Sequence, residues 1–339
     1  MNGFGPMLKD YLEYNKISQS DFADRLEISL KHMNEILNDN TNISEELMLA
    51  ISLITDIDVN LIFYVENKKR IYNYLIKNFE NEKNINNFLN KYCVKEMHKL
   101  NWIKLKDKTS FTQNALDLLE YLKISNFDNI EKYIDKRILY KKYDSANMTK
   151  VYLWIKRCDE LVKNQNVLEY NKDKFNNLLE ELLIFRNEKF NKEKLIKLFN
   201  DNGIYLVIED ALKGTKIRGC TMVKGNNPAI YITTYLKEKS SFYFTLYHEL
   251  AHVKSDYNSL KKKIFINEGN QNNETNRDTF ALNQMIDNKV YKEILKNRKK
   301  EKEICENNNI PKSFLYSRLA YEGLIKYNSK EYLENREVL

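Results

Sequence analysis

The stretch Tyr247-His248-Glu249-Leu250-Ala251-His252 decides how the rest of the chain is interpreted. Two histidines four residues apart lie one above the other on the same face of an α-helix. Such a pair can bind one metal ion from a single rigid element, and Glu249 stands where its carboxylate can polarise a water molecule on that metal. The stretch therefore predicts a helix that carries a metal site.

The order His-Glu-x-x-His is typical of zinc metallopeptidases. The chain has only four histidines, so composition alone seldom produces this pattern. The alternative is a helix that merely exposes two histidines. Manganese in place of zinc stays open at this point.

The residues before the motif supply the context that such a helix needs. Gly203 suits the left-handed position after a helix over Lys192–Asn202. Three strands are then predicted, and Ser240 or Ser241 is expected to cap the metal helix. The predicted strands are Ile204–Ile208, Lys216–Val223 and Ala229–Thr233. Lys216–Val223 is the candidate edge strand that would take a substrate backbone by strand addition.

A catalytic zinc needs a third protein ligand and one open position. Glu274 is the candidate, in the stretch NETNRDTFALNQMI that follows the motif. Asp278 lies one turn later on the same face and can accept the second ring proton of a ligand histidine. This arrangement is gluzincin-like, and Glu249 is the expected catalytic base. The alternative is that Glu274 and Asp278 are solvent-exposed residues on the surface of a helix and have no role at a metal. A Tyr or Arg is expected to stabilise the oxyanion, with Tyr257, Arg218 and Arg318 as candidates.

Composition limits the class of protein and its compartment. The 339 residues carry a net charge of +7, but residues 1–70 hold seven Lys and Arg against twelve Asp and Glu. The four cysteines are scattered, which indicates reduced thiols. No apolar run has membrane-spanning length and the start does not resemble a signal peptide, so a cytoplasmic protein without a membrane partner is expected.

Glycine and proline divide the chain, because neither occurs between Pro6 and Gly203. Such a run predicts helices, whereas the later glycines and prolines suit strands and turns. The expected fold is mainly α with an α+β C-terminal domain. Five N-terminal helices, a helical middle region and a metallopeptidase domain with a small sheet are predicted, over residues 1–66, 67–190 and 191–339. The last N-terminal helix is expected to begin at Asn60, and the expected helices of the middle region include Lys69–Phe79, Ile85–Leu100 and Phe127–Leu139.

Ser18, Ser29 and Ser44 are expected caps within the N-terminal helices. The stretch ISQSDFADRLEISLKHMNEILN resembles the Xre-type helix-turn-helix family, although Glu27 occupies a turn position where such domains usually have glycine. The resemblance implies DNA contacts from two helices. Gln19 and Arg25 would contact phosphates from the first, and Lys31, His32 and Asn34 lie on the recognition helix. Residues 1–70 are acidic, whereas DNA binding needs cations. The alternative is therefore a helical interaction domain that has kept the fold and lost DNA binding.

The stretch RGCTMVKGNNPAIYITTYLKEKSSFYFTLYHELAHV and the later NETNRDTFALNQMI resemble the ImmA/IrrE metallopeptidase family. Asn276 and Arg277 depart from the family's second motif, where it has a second acid and a packing alanine, and the proposed ligand Glu274 is not affected. The stretch IPKSFLYSRLAYEGLI resembles the C-terminal block of long HigA-like antidote proteins, with Ser317 in place of a glycine.

These resemblances imply a zinc-dependent site-specific endopeptidase. Its expected partner is a protein substrate, a repressor or a toxin, in a toxin–antitoxin or phage-type module. The alternative is a non-catalytic antitoxin or transcription regulator that uses the peptidase fold as a binding platform. A homo-oligomer stays open.

Overall fold

The computed structural model describes residues 2–125, 127, 130, 145–235, 237–260, 265–267 and 275–339. These residues are mainly helical, with one small sheet in the C-terminal region, so the predicted fold class is confirmed. They group into two compact units, Met1–Tyr121 and Leu122–Leu339. The division into three domains stays a prediction. None of the described helices is both long enough and apolar enough to cross a membrane.

The first unit is described by its helices. They are α1 (Gly5–Tyr14), α2 (Gln19–Arg25), α3 (Leu30–Leu37), α4 (Glu45–Ile54), α5 (Val59–Phe79), α6 (Glu82–Lys91), α7 (Val94–Lys99) and α8 (Phe111–Leu122, which runs one residue past the unit boundary). Apolar residues from α1 to α5 pack into one core, with Phe4, Leu8, Phe22, Met33 and Ile51 fully buried.

The caps expected in this unit are confirmed. The hydroxyl oxygens of Ser18, Ser29 and Ser44 accept hydrogen bonds from backbone amides three residues later, at 3.0, 3.1 and 3.2 Å. Each cap satisfies an amide that has no partner inside its own helix. These local signals explain why the starts of α2, α3 and α4 were predictable.

Two helix boundaries in this region were predicted wrongly. Asn60 onward and Lys69–Phe79 were expected as separate helices, but α5 runs without interruption from Val59 to Phe79. Conversely, one helix expected over Ile85–Leu100 is divided into α6 and α7, because Cys93 adopts a left-handed φ of 52°. The helix predicted over Phe127–Leu139 lies largely outside the described residues.

The second unit combines helices with the sheet. Its helices are α9 (Ser145–Val162), α10 (Phe175–Phe185), α11 (Lys192–Asp201), α12 (Lys239–Leu260), α13 (Thr275–Met285), α14 (Asn288–Lys296), α15 (Glu301–Asn307), α16 (Lys312–Tyr321) and α17 (Lys330–Asn335). Short 3₁₀ turns lie at Lys172–Lys174 and Arg298–Lys300. Gly203 has a φ of +78° after α11, as its C-terminal cap position requires.

The sheet has four strands in the order β1-β3-β2-β4. The strands are β1 (Tyr205–Ile208), β2 (Gly219–Lys224), β3 (Asn227–Ile232) and β4 (Phe265–Asn267). β1 pairs with β3 in parallel, and the β2–β3 hairpin is antiparallel with Lys224 opposite Asn227. Gly225, in the two-residue turn, has a φ of +61°, which glycine adopts without steric cost.

The expectation that Lys216–Val223 is an edge strand is wrong. β2 begins at Gly219, and β3 and β4 pair with its two sides, so it lies inside the sheet. β4 pairs only with Gly219–Thr221. The order of the strands in the sequence could not predict the internal place of β2, because its second neighbour, β4, follows α12 in the chain.

Helix α12 packs against β2 and β3 and begins at Lys239, earlier than either serine proposed as its cap. Its start is held by residues from the end of the sequence. The Lys239 amide donates to the Glu337 carbonyl at 2.9 Å, and its ammonium lies 2.7 Å from the Glu337 carboxylate. Glu238 and Val338 form an isolated antiparallel bridge. A tertiary contact therefore takes the place of a local cap.

Candidate metal centre

The two motif histidines lie on the buried side of α12. Their side chains are one helical turn apart, with ring centroids separated by 5.2 Å. His248 and His252 are each 1% exposed and Glu249 is fully buried. Two imidazoles held this deeply need polar partners, because burying an unpaired polar group is costly. The exposed-helix alternative is therefore excluded by their burial.

A carboxylate holds one ring nitrogen of each histidine. His248 Nδ1 lies 2.9 Å from Asp278 Oδ1, and His252 Nδ1 lies 3.1 Å from Asp256 Oδ2. An ionised carboxylate only accepts hydrogen bonds, so each Nδ1 donates, and the neutral form of each ring then has its lone pair on Nε2. This tautomer is the one that metal-ligating histidines use, and the pair therefore fits a zinc ion.

Asp278 is held in turn by Tyr321 at the end of α16. The Tyr321 hydroxyl donates to the second carboxylate oxygen of Asp278 at 3.1 Å. Burial, followed by the charge of Asp278, raises the pKa of Tyr321 to about 12, so the hydroxyl stays protonated at neutral pH. The His248 ring is thus oriented through two successive hydrogen bonds.

Asp256, which supports His252, forms an ion pair with Arg277 of α13. Arg277 Nε and Nη2 lie 3.1 and 2.8 Å from Asp256 Oδ2. Burial raises the pKa of Asp256, but the hydrogen bonds and charge from Arg277 and His252 outweigh it and lower the pKa below its ordinary value. Arg277, one of the two departures from the family's second motif, therefore supports the carboxylate beside His252. The expectation that these departures leave the proposed ligand Glu274 unaffected stays a prediction, because Glu274 lies outside the described residues. The spacing of Asp256, four residues after His252, was the available signal.

Glu249 is held by the strand β2. The Thr221 hydroxyl donates to Glu249 Oε2 and lies 3.3 Å from its backbone oxygen. Two residues away on the same face, a Cβ added to Gly219 would lie 2.8 Å from Glu249 Oε1. β2 therefore donates a hydrogen bond to the carboxylate from Thr221 and leaves no space for a side chain beside it at Gly219. Sequence reasoning missed Gly219 and Thr221, because nothing in a strand pattern reveals which helix residue it faces.

The proposed third ligand, Glu274, lies outside the described residues. No group of three His, Cys, Asp or Glu side chains converges on a metal position within the described ranges alone. The residues that the structure brings together are His248, His252 and Glu249 with Asp278, Asp256 and Arg277. Their arrangement can orient two metal ligands and one buried carboxylate.

The three oxyanion candidates have different surroundings. The Tyr257 hydroxyl donates to the Asn226 carbonyl at 2.5 Å. Arg318 is buried, donates to the backbone oxygen of Ile286 at 2.8 Å and pairs with Glu322 at 3.0 Å. Arg218 immediately precedes β2 and lines a cavity. The contacts of Arg318 assign it to the packing of α16, so it is a poor oxyanion donor.

The residues proposed to contact DNA lie on α2 and α3 of the first unit. Arg25 and Lys31 are exposed, as is Asn34, whereas Gln19 and His32 are partly buried. Arg25 forms an exposed ion pair with Asp21 at 2.8 Å, and His32 lies 3.7 Å from Glu35. Acidic partners therefore accompany two of the five candidates. Their role in DNA binding stays a prediction.

Comparison with known proteins identifies one domain. Residues 200–320 match the family model Peptidase_M78, described as the IrrE N-terminal-like domain. The match contains α12, which carries both motif histidines, together with α13 and the sheet, and it extends over little more than a third of the chain. No curated protein and no solved structure matched the chain.

Proposed function

We propose that residues 191–339 form a zinc-dependent endopeptidase that cleaves a regulatory protein at a specific site. One observation carries this proposal: both histidines of the motif are buried on one helix face, and carboxylates hold both Nδ1 atoms. A helix that needed histidines only for packing would not require two oriented lone pairs. The match of residues 200–320 to a metallopeptidase family supports the same function.

His248, His252 and Glu274 would hold the metal. A bound zinc ion supplies Lewis acidity to the water and to the scissile carbonyl. Glu249 accepts a proton from the attacking water and returns it to the leaving amine. Thr221 and Gly219 fix the Glu249 carboxylate, so that it does not need to reorganise during proton transfer. Asp278 and Asp256 keep both imidazoles in one tautomer.

Metal analysis combined with a cleavage assay tests the proposal. The full chain is purified without chelators and its zinc and manganese contents are measured. We expect about one equivalent of zinc, lost in His248→Ala and Glu274→Ala and retained in Glu249→Gln. The protein encoded by the adjacent reading frame is the first substrate to test, and Glu249→Gln should not cleave it.

Two outcomes would contradict the endopeptidase. One is a purified protein without metal, and the other is a Glu249→Gln variant with full biological effect. Both would favour the alternative, a non-catalytic antitoxin or regulator that uses the peptidase fold to bind its partner.

We also propose that the N-terminal helices form a helix-turn-helix recognition module. α2 and α3 carry serine caps and are separated by a four-residue turn, as such a module requires. If the module binds DNA, affinity should fall steeply with salt, and Lys31→Glu should weaken binding to every sequence. Binding that is insensitive to salt and to Lys31→Glu would indicate a protein partner instead.

A further inference from the structure

A cavity of about 350 Å³ opens beside the candidate metal centre. It lies between α12, α13, α16 and the residues that follow α16. Its walls include Arg218, Phe244, Met285, Tyr321, Tyr327 and Tyr332. The cavity is large enough to take one amino-acid side chain.

The cavity is continuous with the residues that support the metal ligand His248. Phe244 lies one turn before His248, with ring centroids 6.4 Å apart. The Tyr321 ring packs against Phe244 at 5.6 Å, and its hydroxyl donates to Asp278. The cavity therefore shares Phe244 and Tyr321 with the immediate surroundings of His248.

Arg218 is a partly buried cation in the wall of the cavity. Its side chain is partly buried, and among the described residues its guanidinium has no hydrogen bond or ion pair. Arg318 also lines the cavity, but its nitrogens are already bound to Glu322 and to backbone oxygens. The one described carboxylate of the lining, Glu238, accepts a hydrogen bond from Tyr332 at 2.5 Å and keeps its negative charge. Arg336, which is exposed, is a further cation of the lining. The described lining therefore has a net positive charge.

The location of Arg218 links this charge to the reacting groups. It directly precedes Gly219, where an added Cβ would lie 2.8 Å from Glu249 Oε1. Burial raises the pKa values of Tyr321 and Tyr327, and the positive charge of Arg218 opposes both shifts, so the guanidinium lies near the aromatic wall. A planar guanidinium beside aromatic rings is suited to a carboxylate, which it can bind with two parallel hydrogen bonds.

We propose that this cavity binds an acidic side chain of the polypeptide that the site cleaves, and that Arg218 selects it. The inference rests on the proposed endopeptidase function and names the chemistry of its substrate near the cut bond. The Asp or Glu side chain would fill the cavity and pair with Arg218. A neutral residue of the same shape would leave the partly buried guanidinium without a partner, which lowers its rate of cleavage.

Profiling of cleavage sites tests this specificity. The full, zinc-loaded protein is incubated with a library of peptides prepared from a whole proteome, and new termini are identified by mass spectrometry. The Glu249→Gln variant provides the background. We expect Asp and Glu to be enriched at one position fixed relative to the cut bond. Arg218→Gln should abolish the enrichment and lower kcat/KM for an acidic peptide about tenfold or more relative to its amide counterpart.

Two further variants sharpen this test. Arg218→Glu should shift the preference at that position to Lys and Arg. Lys216→Gln removes an equal charge from an exposed side chain outside the cavity and should leave the profile unchanged. A flat or purely apolar profile of the native protein, or an acidic preference that survives Arg218→Gln, overturns the proposal.

A binding measurement separates this inference from the proposed function. N-acetyl-glutamate amide and N-acetyl-glutamine amide are titrated into the native protein and into Arg218→Gln and followed by NMR. We expect the acidic probe to bind the native protein at least tenfold more tightly than the variant. Failure to cleave any peptide contradicts the endopeptidase, whereas failure to bind the acidic probe contradicts the cavity assignment. Binding accompanied by a flat cleavage profile would assign the cavity to a free carboxylate effector and overturn the substrate site.

Discussion

Arg277 donates from Nε and Nη2 to one oxygen of Asp256, at 3.1 and 2.8 Å, so the carboxylate that orients His252 is itself held from a second helix. Asp256 belongs to α12 and Arg277 to α13, and the ion pair therefore joins the two helices at the candidate metal centre. A sequence motif that stops at the metal ligands omits this link.

Replacing Arg277 by alanine should weaken zinc binding by about tenfold, because residues that support metal ligands typically have effects of this size. Competition with a zinc-binding dye measures the affinity. Asn276→Ala, at the exposed neighbouring position, is the control and should bind zinc normally. Equal zinc affinities of the two variants would show that Arg277 does not support zinc binding.

Asp278→Asn should reduce zinc affinity by about 10- to 100-fold, since the amide no longer fixes the His248 tautomer by charge. The same dye competition applies. Asp201→Asn, at an exposed position on α11, loses the same charge and should have no effect. If Asp278→Asn bound zinc as tightly as the native protein, the orienting role of this carboxylate would be excluded.

Gly219→Ala should impair cleavage while zinc stays bound. The added Cβ would lie 2.8 Å from Glu249 Oε1 and 3.1 Å from Thr245 Cγ2, so either the carboxylate or the strand must shift. Overpacking of this kind costs about 1–3 kcal/mol of stability. Gly225→Ala is the comparison, because nothing lies within 4 Å of its added Cβ and only its positive φ is strained. Turnover should fall in the first variant and persist in the second.

Thr221→Val should lower the free energy of unfolding by about 1.5–3 kcal/mol, because a buried carboxylate loses a hydrogen-bond donor. Thr221→Ser keeps the hydroxyl and should recover most of the loss in both stability and turnover. Chemical denaturation followed by circular dichroism reports the stability. A valine variant as stable as the serine variant would argue against a stabilising hydrogen bond.

Glu27→Gly should stabilise the first unit by about 1 kcal/mol. Glu27 adopts a φ of 57° in the turn between α2 and α3, a conformation in which a Cβ is unfavourable. Glu27→Ala keeps the Cβ and removes only the charge, so it should give little of this gain. Thermal unfolding of the three proteins distinguishes the two effects.

The sequence predicted those features whose causes are local. Ser18, Ser29 and Ser44 cap their helices because the hydroxyl and the amide it satisfies are three residues apart. The spacing of His248 and His252 places both rings on one helix face for the same reason. Gly203 ends α11 in the left-handed conformation that its position requires.

Features created by distant residues were not predictable in this way. β2 became an internal strand because β4 returns from beyond α12, and α12 begins at Lys239 because a contact with Glu337 replaces a serine cap. The ion pair of Arg277 with Asp256 could not be predicted from the motif, because the two residues are 21 positions apart in sequence. The third ligand and the roles of the site residues stay predictions.

The contacts between Lys239 and Glu337 also affect the stage of protein synthesis at which this domain can complete its fold. The two residues are 98 positions apart, so α12 leaves the ribosome well before the segment that secures its start. Until those later residues emerge, one wall of the neighbouring cavity, which includes Tyr332 and Arg336, is also missing. If the domain is the proposed peptidase, it should therefore become active only after synthesis has passed this segment.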